Sequence, residues 1–387
     1  MKITFVIPSL SSGGAERVLI LLAQAFLNKG HQVTVITLST EDNDFYSLPV
    51  GTERLALGIL ENSANALNAI VNNLNRLSKL RKAVCSTKAD VVISFVTETN
   101  ILTILSLLKT GIPVISTEHC DPNLMSYGRI WEKLRRISYP YATKIVSVSK
   151  GVDNGFEWLS TNKRAIIYNP FLEIEDNHSQ IELPFGTDSE KQWIMSMGRL
   201  TYQKGFDILL SAFAKIANRY PDWQLIILGK GEQRSELEQL VKENGLSGRV
   251  ILPGVIKNPF PILKKADLFV MASRFEGFPM SHGEAMACGL PVIATDCPSG
   301  PREIVRHNID GILVPSEDIS ALAEAMDNLM SDEKERIRLA NRATEVTKRF
   351  SLENVINCWE KLFEEIKSNG QPQSSSSIGL IQLFQRF

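Results

Sequence analysis

The 387-residue sequence predicts an α/β protein built from two doubly wound halves, and three observations carry that prediction. Strand, glycine-bearing loop, helix and strand follow one another from the first residues. The same order restarts at Trp193, after a polar and acidic stretch. Within the second half, Ser273–Cys297 reads as loop, helix and strand directly after an apolar run of strand length.

The elements follow in order. Ile3–Leu10 is a continuous apolar run, the signature of a strand buried on both faces. The loop with Gly13 and Gly14 leads into a helix closed at Gly30, and His31–Ser39 gives the second strand. Ala89–Val96, Ile112–His119 and Thr143–Lys150 continue the sheet, each ending in polar residues, and Ala165–Phe171 is a short last strand. The stretch to Ser189 is the linker, which places one domain at 1–168, the linker at 169–189 and a second domain at 190–350. Trp193–Trp223 and Gln224–Gly254 repeat the strand, loop and helix unit. A last amphipathic helix over 351–368 is expected to cross back to the first domain. The tail 369–387 begins as a polar linker and ends apolar.

The composition is that of a soluble globular protein long enough for two cores. Five cysteines show neither CxxC spacing nor a disulfide framework, which fits a reducing cytosol. The opening apolar run is too short for a signal peptide, and no run approaches a membrane span. Residues 1–168 carry 18 basic against 13 acidic side chains, a net +5, whereas the remainder carries 24 against 30, a net −6. The first half therefore tolerates an anionic surface better than the second.

The chemistry centres on Glu276 and Glu284, with seven residues between them. Leu268–Ser273 is the preceding strand. Pro279 suits the first helical position, Met280–Cys288 forms the helix and Gly289 closes it. Glu276 thus lies on a loop at a strand's carboxyl end, where open α/β sheets bind ligands. Glu284 lies about 6 Å along the helix at 1.5 Å per residue. A separation on the order of 10 Å is wide for a glycosidase acid–base pair and suits two ends of one extended ligand. Taken alone, the pair also fits a solvated loop glutamate and a first-turn glutamate favoured by the helix dipole. Arg199 and Lys204 follow the second half's first strand. An arginine fork and a mobile lysine charge there make a diphosphate clamp, unless both merely face solvent.

With these blocks in view, GRLTYQKG, GKGEQRSELE, SSGGAERV and the long run from VILPG to PREIV resemble the retaining glycosyltransferase family 4. The resemblance covers nearly the whole chain up to the tail. It implies the GT-B fold, two Rossmann-like domains facing across a cleft, and a UDP-sugar substrate with no cofactor and no metal. On the same resemblance, Arg199 and Lys204 neutralise the donor diphosphate, Glu284 accepts the ribose hydroxyls and Glu276 faces the donor sugar. Gly277, Phe278, Pro279, Met280 and Ser281 bring main-chain amides near phosphate and sugar. Gly13 and Gly14 close over the β-phosphate, and His119 stands near the reacting carbon. The sequence departs from the family at Ser281-His282-Gly283, where aliphatic residues are common; His282 either contacts the donor or faces solvent. Asp42-Asn43-Asp44 fits a DxD string but sits in a polar loop and reads as surface.

Ser63–Val84 has apolar residues at helical spacing with Arg76, Lys79, Arg81 and Lys82 on it, and Gly128–Lys150 is basic with Trp131 and Tyr139 interleaved. Both patterns fit peripheral attachment to an anionic membrane, and both fit a packed helix with a charged outer face. Relatives include hexosamine and galactose transferases of O-antigen, capsule and lipid-linked glycan assembly. The resemblance therefore implies a polyprenyl-diphosphate glycan acceptor, no nucleic acid, and a cytoplasmic place on the inner face of the cell membrane. A UDP-sugar epimerase of the same fold and a non-catalytic nucleotide-sugar-binding protein are the alternatives.

Overall fold

The computed structural model describes residues 1–42, 44–60, 66–125, 127–174 and 183–368, with side chains described for all of these except 66–73. Asn43, the start of the first basic helix, the linker's acidic centre and the tail 369–387 lie outside the described residues.

The first half runs β1 (Lys2–Ile7), α1 (Gly14–Asn28), β2 (Gln32–Thr37), β3 (Glu53–Ala56), α2 (Ala66–Thr87), β4 (Val91–Phe95), α3 (Thr97–Ser106), β5 (Val114–Glu118), α4 (Arg129–Ser138), β6 (Lys144–Ser147), α5 (Lys150–Asn154) and β7 (Arg164–Ile166). The second runs β8 (Gln192–Met197), α6 (Phe206–Ile216), β9 (Trp223–Leu228), α7 (Arg234–Glu243), β10 (Val250–Gly254), α8 (Phe260–Lys265), β11 (Leu268–Met271), α9 (Met280–Ala287), β12 (Val292–Asp296), α10 (Pro301–Ile304) and β13 (Ile312–Pro315). Then come α11 (Ile319–Ser331), α12 (Glu333–Ala343), α13 (Val346–Arg349) and α14 (Leu352–Ser368).

Each half contributes one wholly parallel sheet, in the orders β3-β2-β1-β4-β5-β6-β7 and β10-β9-β8-β11-β12-β13. The central strands are buried on both faces, which is why they read as unbroken apolar runs. In the first sheet the order reverses between β1 and β4, and in the second between β8 and β11. A crevice opens at the carboxyl ends of such a strand pair, because the two following connections leave on opposite sides. The Gly13-Gly14 loop follows β1, Gly198–Lys204 follows β8 and Ser273–Glu276 follows β11, so all three lie at switch points.

An aromatic hinge and a returning helix join the halves outside the cleft. Phe171 of the connecting segment donates its amide to the Phe350 carbonyl at 2.9 Å, and its ring stacks on Phe278, 5.7 Å between centroids. Tyr168 and Phe350 complete this aromatic hinge. Gly283 is small because a Cβ there would lie 2.1 Å from the Phe171 ring. Beyond the hinge, α14 returns to the first half. Phe363 packs on Phe26 at 5.6 Å, and Glu360 and Glu365 bind Lys29 and Lys144, each at 2.7 Å.

Candidate functional site

The loops after β8 and β11 are joined before they hold anything. Gly205 has φ +61°, and a Cβ there would sit 2.0 Å from the Ala272 carbonyl oxygen, so only glycine seats this turn on the end of β11. Gln203 gives its side-chain amide to the Phe275 carbonyl at 3.0 Å and its carbonyl to the Arg274 amide at 2.8 Å. Arg274 forks onto Asp207 at 2.9 and 2.6 Å and lies 3.9 Å over the Tyr202 ring. The Lys204 stem crosses Gly198, where a Cβ would meet it at 3.3 Å.

That frame delivers Lys204 Nζ to Glu276 Oε1 at 2.5 Å. Ser273 Oγ donates to the same oxygen at 2.6 Å, and Glu276 is only 4 % exposed. Arg199, by contrast, is exposed at the edge of the loop, its charge felt by Glu16 of the opposite lobe.

Helix α9 begins one residue later than expected, with Pro279 as its N-cap and Gly289, at φ +77°, closing it. The first amides of any helix have no partner within it, so Met280 and Ser281 present N–H groups at a positive helix end. Phe278, Met280 and Ser281 are buried there. A Cβ on Gly14 would meet Met280 Cγ at 3.6 Å, so the glycine loop of one lobe faces the first turn of α9 in the other. Gly13 is covered by Glu16, whose carboxylate accepts from Ser11 Oγ at 2.6 Å and would clash with any Cβ at 13.

Glu284, one helical turn on, is bound across the cleft by Arg17 Nε of α1. Burial raises its carboxyl above the usual range, and Arg17 opposes the shift. The same guanidinium lies 4.9 Å over the Phe260 ring.

His119 follows β5. Its ring stacks on Phe95 at 5.5 Å, and Nε2 lies 3.0 Å from Thr117 Oγ1. Thr117 spends its one hydroxyl proton on the Ser94 carbonyl at 2.9 Å, so Nε2 must be the protonated nitrogen and Nδ1 the acceptor. Burial pushes the imidazole down to about 4, which keeps it neutral. The His119 carbonyl reaches the opposite lobe, since a Cβ on Gly277 would lie 1.9 Å from it. Beside it, Val96 has φ +72°, a strained value for a β-branched residue, at the first sheet's own switch point.

The sites read from the sequence thus gather at one cleft, with Glu276 on Lys204 and Gly277 against His119. One expectation needs correcting. His282 does not face solvent; it is 1 % exposed, its ring 6.1 Å from Phe269 and its Nδ1 without a partner. Of the basic stretches, Arg135 and Lys144 are buried, whereas Lys79, Arg81, Lys82, Arg129, Lys133, Arg136 and Lys150 are exposed, some of them with partners inside the protein. Arg76 and Arg81 bind the carbonyls of Ile59, Ser106 and Leu108, Arg136 lies over Trp158, and Tyr139 is buried on Glu118. Such residues pack as amphipathic pairs whose partners lie far away in sequence. Asp44 of the DxD string pairs with Arg54.

Two residues inside quoted motifs had no role assigned. Arg17 lies in SSGGAERV. Glu303, in PREIV, accepts from Tyr168 Oη at 2.8 Å and from the Lys150 and Gly151 amides at 3.1 and 3.2 Å, bracing the lobes.

Known proteins place the chain in a family. Residues 12–171 match the family model Glycosyltransferase Family 4, and residues 179–346 match Glycosyl transferases group 1. A protein of Campylobacter jejuni subsp. jejuni serotype O:2 is 31 % identical over 370 residues, 95 % of this chain and 99 % of that one. The chain belongs to the family 4 glycosyltransferases. That relative is named GalNAc-alpha-(1->4)-GalNAc-alpha-(1->3)-diNAcBac-PP-undecaprenol alpha-1,4-N-acetyl-D-galactosaminyltransferase. A second Campylobacter protein, N-acetylgalactosamine-N,N'-diacetylbacillosaminyl-diphospho-undecaprenol 4-alpha-N-acetylgalactosaminyltransferase, is 29 % identical over 90 % of the transferase described here and 95 % of its own length. Among solved structures, the sucrose-phosphate synthase of Thermosynechococcus elongatus superposes with TM-score 0.80 at 20 % identity, covering 95 % of this chain and all of that one. HepE of Anabaena with UDP and glucose gives 0.73 at 18 % over 94 % of this transferase and all of HepE. These likenesses show the two-lobed GT-B fold. Among the described residues no helix is long and apolar enough to cross a membrane.

Proposed function

We propose that the chain transfers a hexose or N-acetylhexosamine from a UDP-sugar to a glycan carried on polyprenyl diphosphate, with retention at the anomeric carbon. The observation that carries this reading is the Lys204–Glu276 contact at 2.5 Å, on the loop that leads into α9 and whose Gly277 meets His119 of the facing lobe. The Campylobacter relative, matched over nearly its full length, supports the acceptor class. We take 1–168 as the acceptor-side unit with 351–368 packed on it, 169–189 as linker, 190–350 as the donor-side unit and 369–387 as a tail.

As the glycosidic bond to phosphate breaks, negative charge grows on the diphosphate and the sugar becomes oxocarbenium-like. Arg199, Lys204 and the amides of Gly277–Ser281 stabilise the first, being fixed before the reaction and partly shielded from water. Pro279 shapes that turn without offering an N–H. The Glu276 carboxylate faces the second, and its contact with Lys204 ties sugar position to phosphate position. The Nδ1 lone pair of His119 accepts from a sugar hydroxyl, and Glu284 takes the ribose diol. The diphosphate is held by side-chain cations and amides, so no metal is assigned. The exposed Arg129, Ile130 and Lys133 on α4 present a cationic face with an apolar tip to an anionic membrane surface.

The test is to supply UDP-GalNAc, UDP-GlcNAc, UDP-Gal and UDP-Glc in turn with a polyprenyl-diphosphate glycan extract. Label from one UDP-sugar is expected in the lipid fraction. Label that stays in a new UDP-sugar instead points to an epimerase, and no turnover of any UDP-sugar defeats the reading.

A further inference from the structure

We propose that Arg17 is a partner-switching residue of the donor site: it competes with the donor's ribose for Glu284 and, once displaced, turns to the diphosphate. This rests on the reading that Glu284 binds the ribose.

Glu284 is a buried carboxylate, 9 % exposed at its side chain, and a buried charge without a counter-ion is costly. Arg17, from the facing lobe and 23 % exposed, supplies that counter-ion. The contact is made through Nε to Oε1. It is a charge contact that directional donors can displace. The ribose diol offers two such donors, one for each carboxylate oxygen, and Oε1 is the oxygen Arg17 covers.

The displaced guanidinium does not swing free. Its face rests on Phe260 at 4.9 Å, and α1 fixes its root three residues beyond Gly14. The neighbouring acid, Glu16, is engaged by Ser11 and folded over Gly13. The next anion within reach of that root is therefore the diphosphate arriving at the glycine loop, which a guanidinium binds well. Arg17 thereby couples recognition of the nucleoside to recognition of the phosphates, across the cleft and from the lobe opposite Arg199 and Lys204.

The experiment measures uridine and UDP binding by calorimetry to the full-length wild type, Arg17→Ala and Glu284→Ala. Removing the competitor in Arg17→Ala is expected to tighten uridine by roughly twofold to fivefold, the worth of one partly exposed charge contact. The ratio of UDP to uridine affinity is expected to fall by about tenfold, because the diphosphate loses a cation. Uridine affinity that is unchanged or weaker in Arg17→Ala, or an unchanged ratio, overturns the exchange. Glu284→Ala separates the two layers. If it weakens UDP while Arg17→Ala leaves uridine unchanged, the exchange alone is wrong. If UDP binding is untouched by Glu284→Ala, the ribose reading beneath it is wrong.

Discussion

Replacing Gly277 by alanine should separate donor binding from transfer. A Cβ at 277 would lie 1.9 Å from the His119 carbonyl oxygen, 2.6 Å from its carbon and 3.2 Å from the Cys120 amide, all main-chain atoms of the facing lobe. Carbon and carbonyl oxygen need about 3.3 Å, so about 1.4 Å must be found by parting the lobes or moving the loop. Retreat of the loop is hindered, because the Gly277 carbonyl already lies 2.7 Å from where a Cβ on Gly300 would be. Overpacking of this kind costs about 1–3 kcal/mol, and here it falls on the closed arrangement of the cleft. A displacement near 1 Å between reacting groups lowers rate by about 10²-fold. Steady-state transfer should therefore show kcat down by about 10², while the Kd for UDP, set chiefly on the second lobe, changes by less than about fivefold. A Gly277→Ala enzyme with kcat within about threefold of wild type would refute the claim that His119 and Gly277 must meet.

The other predictions concern charge and proton placement. On the proposed reading Lys204→Ala removes a phosphate cation and strands the buried Glu276 with Ser273 alone, so kcat/KM should fall by about 10²–10³; a loss under about tenfold contradicts the clamp. His119→Asn, whose side-chain oxygen is nearest in place to Nδ1, should retain more activity than His119→Gln, and the reverse order in the transfer assay would mean that Nε2 is the working nitrogen. His282 tests the acid limb of stability. Its pKa is lowered by burial from 6.5 to about 4, so below pH 6.5 the unfolded chain binds a proton that the native site refuses. Stability from this group is complete above pH 6.5 and is lost as pH falls towards 4, by about 2 kcal/mol at pH 5. Urea melts of His282→Leu at pH 7.5 and pH 5 should show a correspondingly smaller acid loss, and an unchanged loss refutes the assignment.

Much of the second half could be read from the chain because its signals are local. β11, α9 and β12 are bounded by Pro279 and Gly289, and the apolar runs on either side are buried on both faces. β3 was missed because Glu53–Ala56 is a short, half-exposed edge strand with a polar start. α3 was missed because its buried face carries Thr97, Thr99, Asn100 and Thr103, partly to serve the buried Glu118, and so has no apolar period. The burial of His282 follows from Phe269 lying on the strand beneath it, a contact no spacing rule supplies. Arg17 and Glu303 act on the opposite lobe, so their roles exist only once the two sheets face each other. The same holds for the basic helices, whose arginines find their carbonyls and rings only after folding.

The most direct measurement is a crystal structure of the protein with a bound UDP-sugar. The diphosphate is expected against Arg199 and Lys204, the ribose hydroxyls on Glu284 in place of Arg17, and the sugar ring between Glu276 and His119. A nucleotide bound elsewhere, or one in the cleft that leaves Arg199, Lys204 and Glu276 all without contact, would contradict the proposed function.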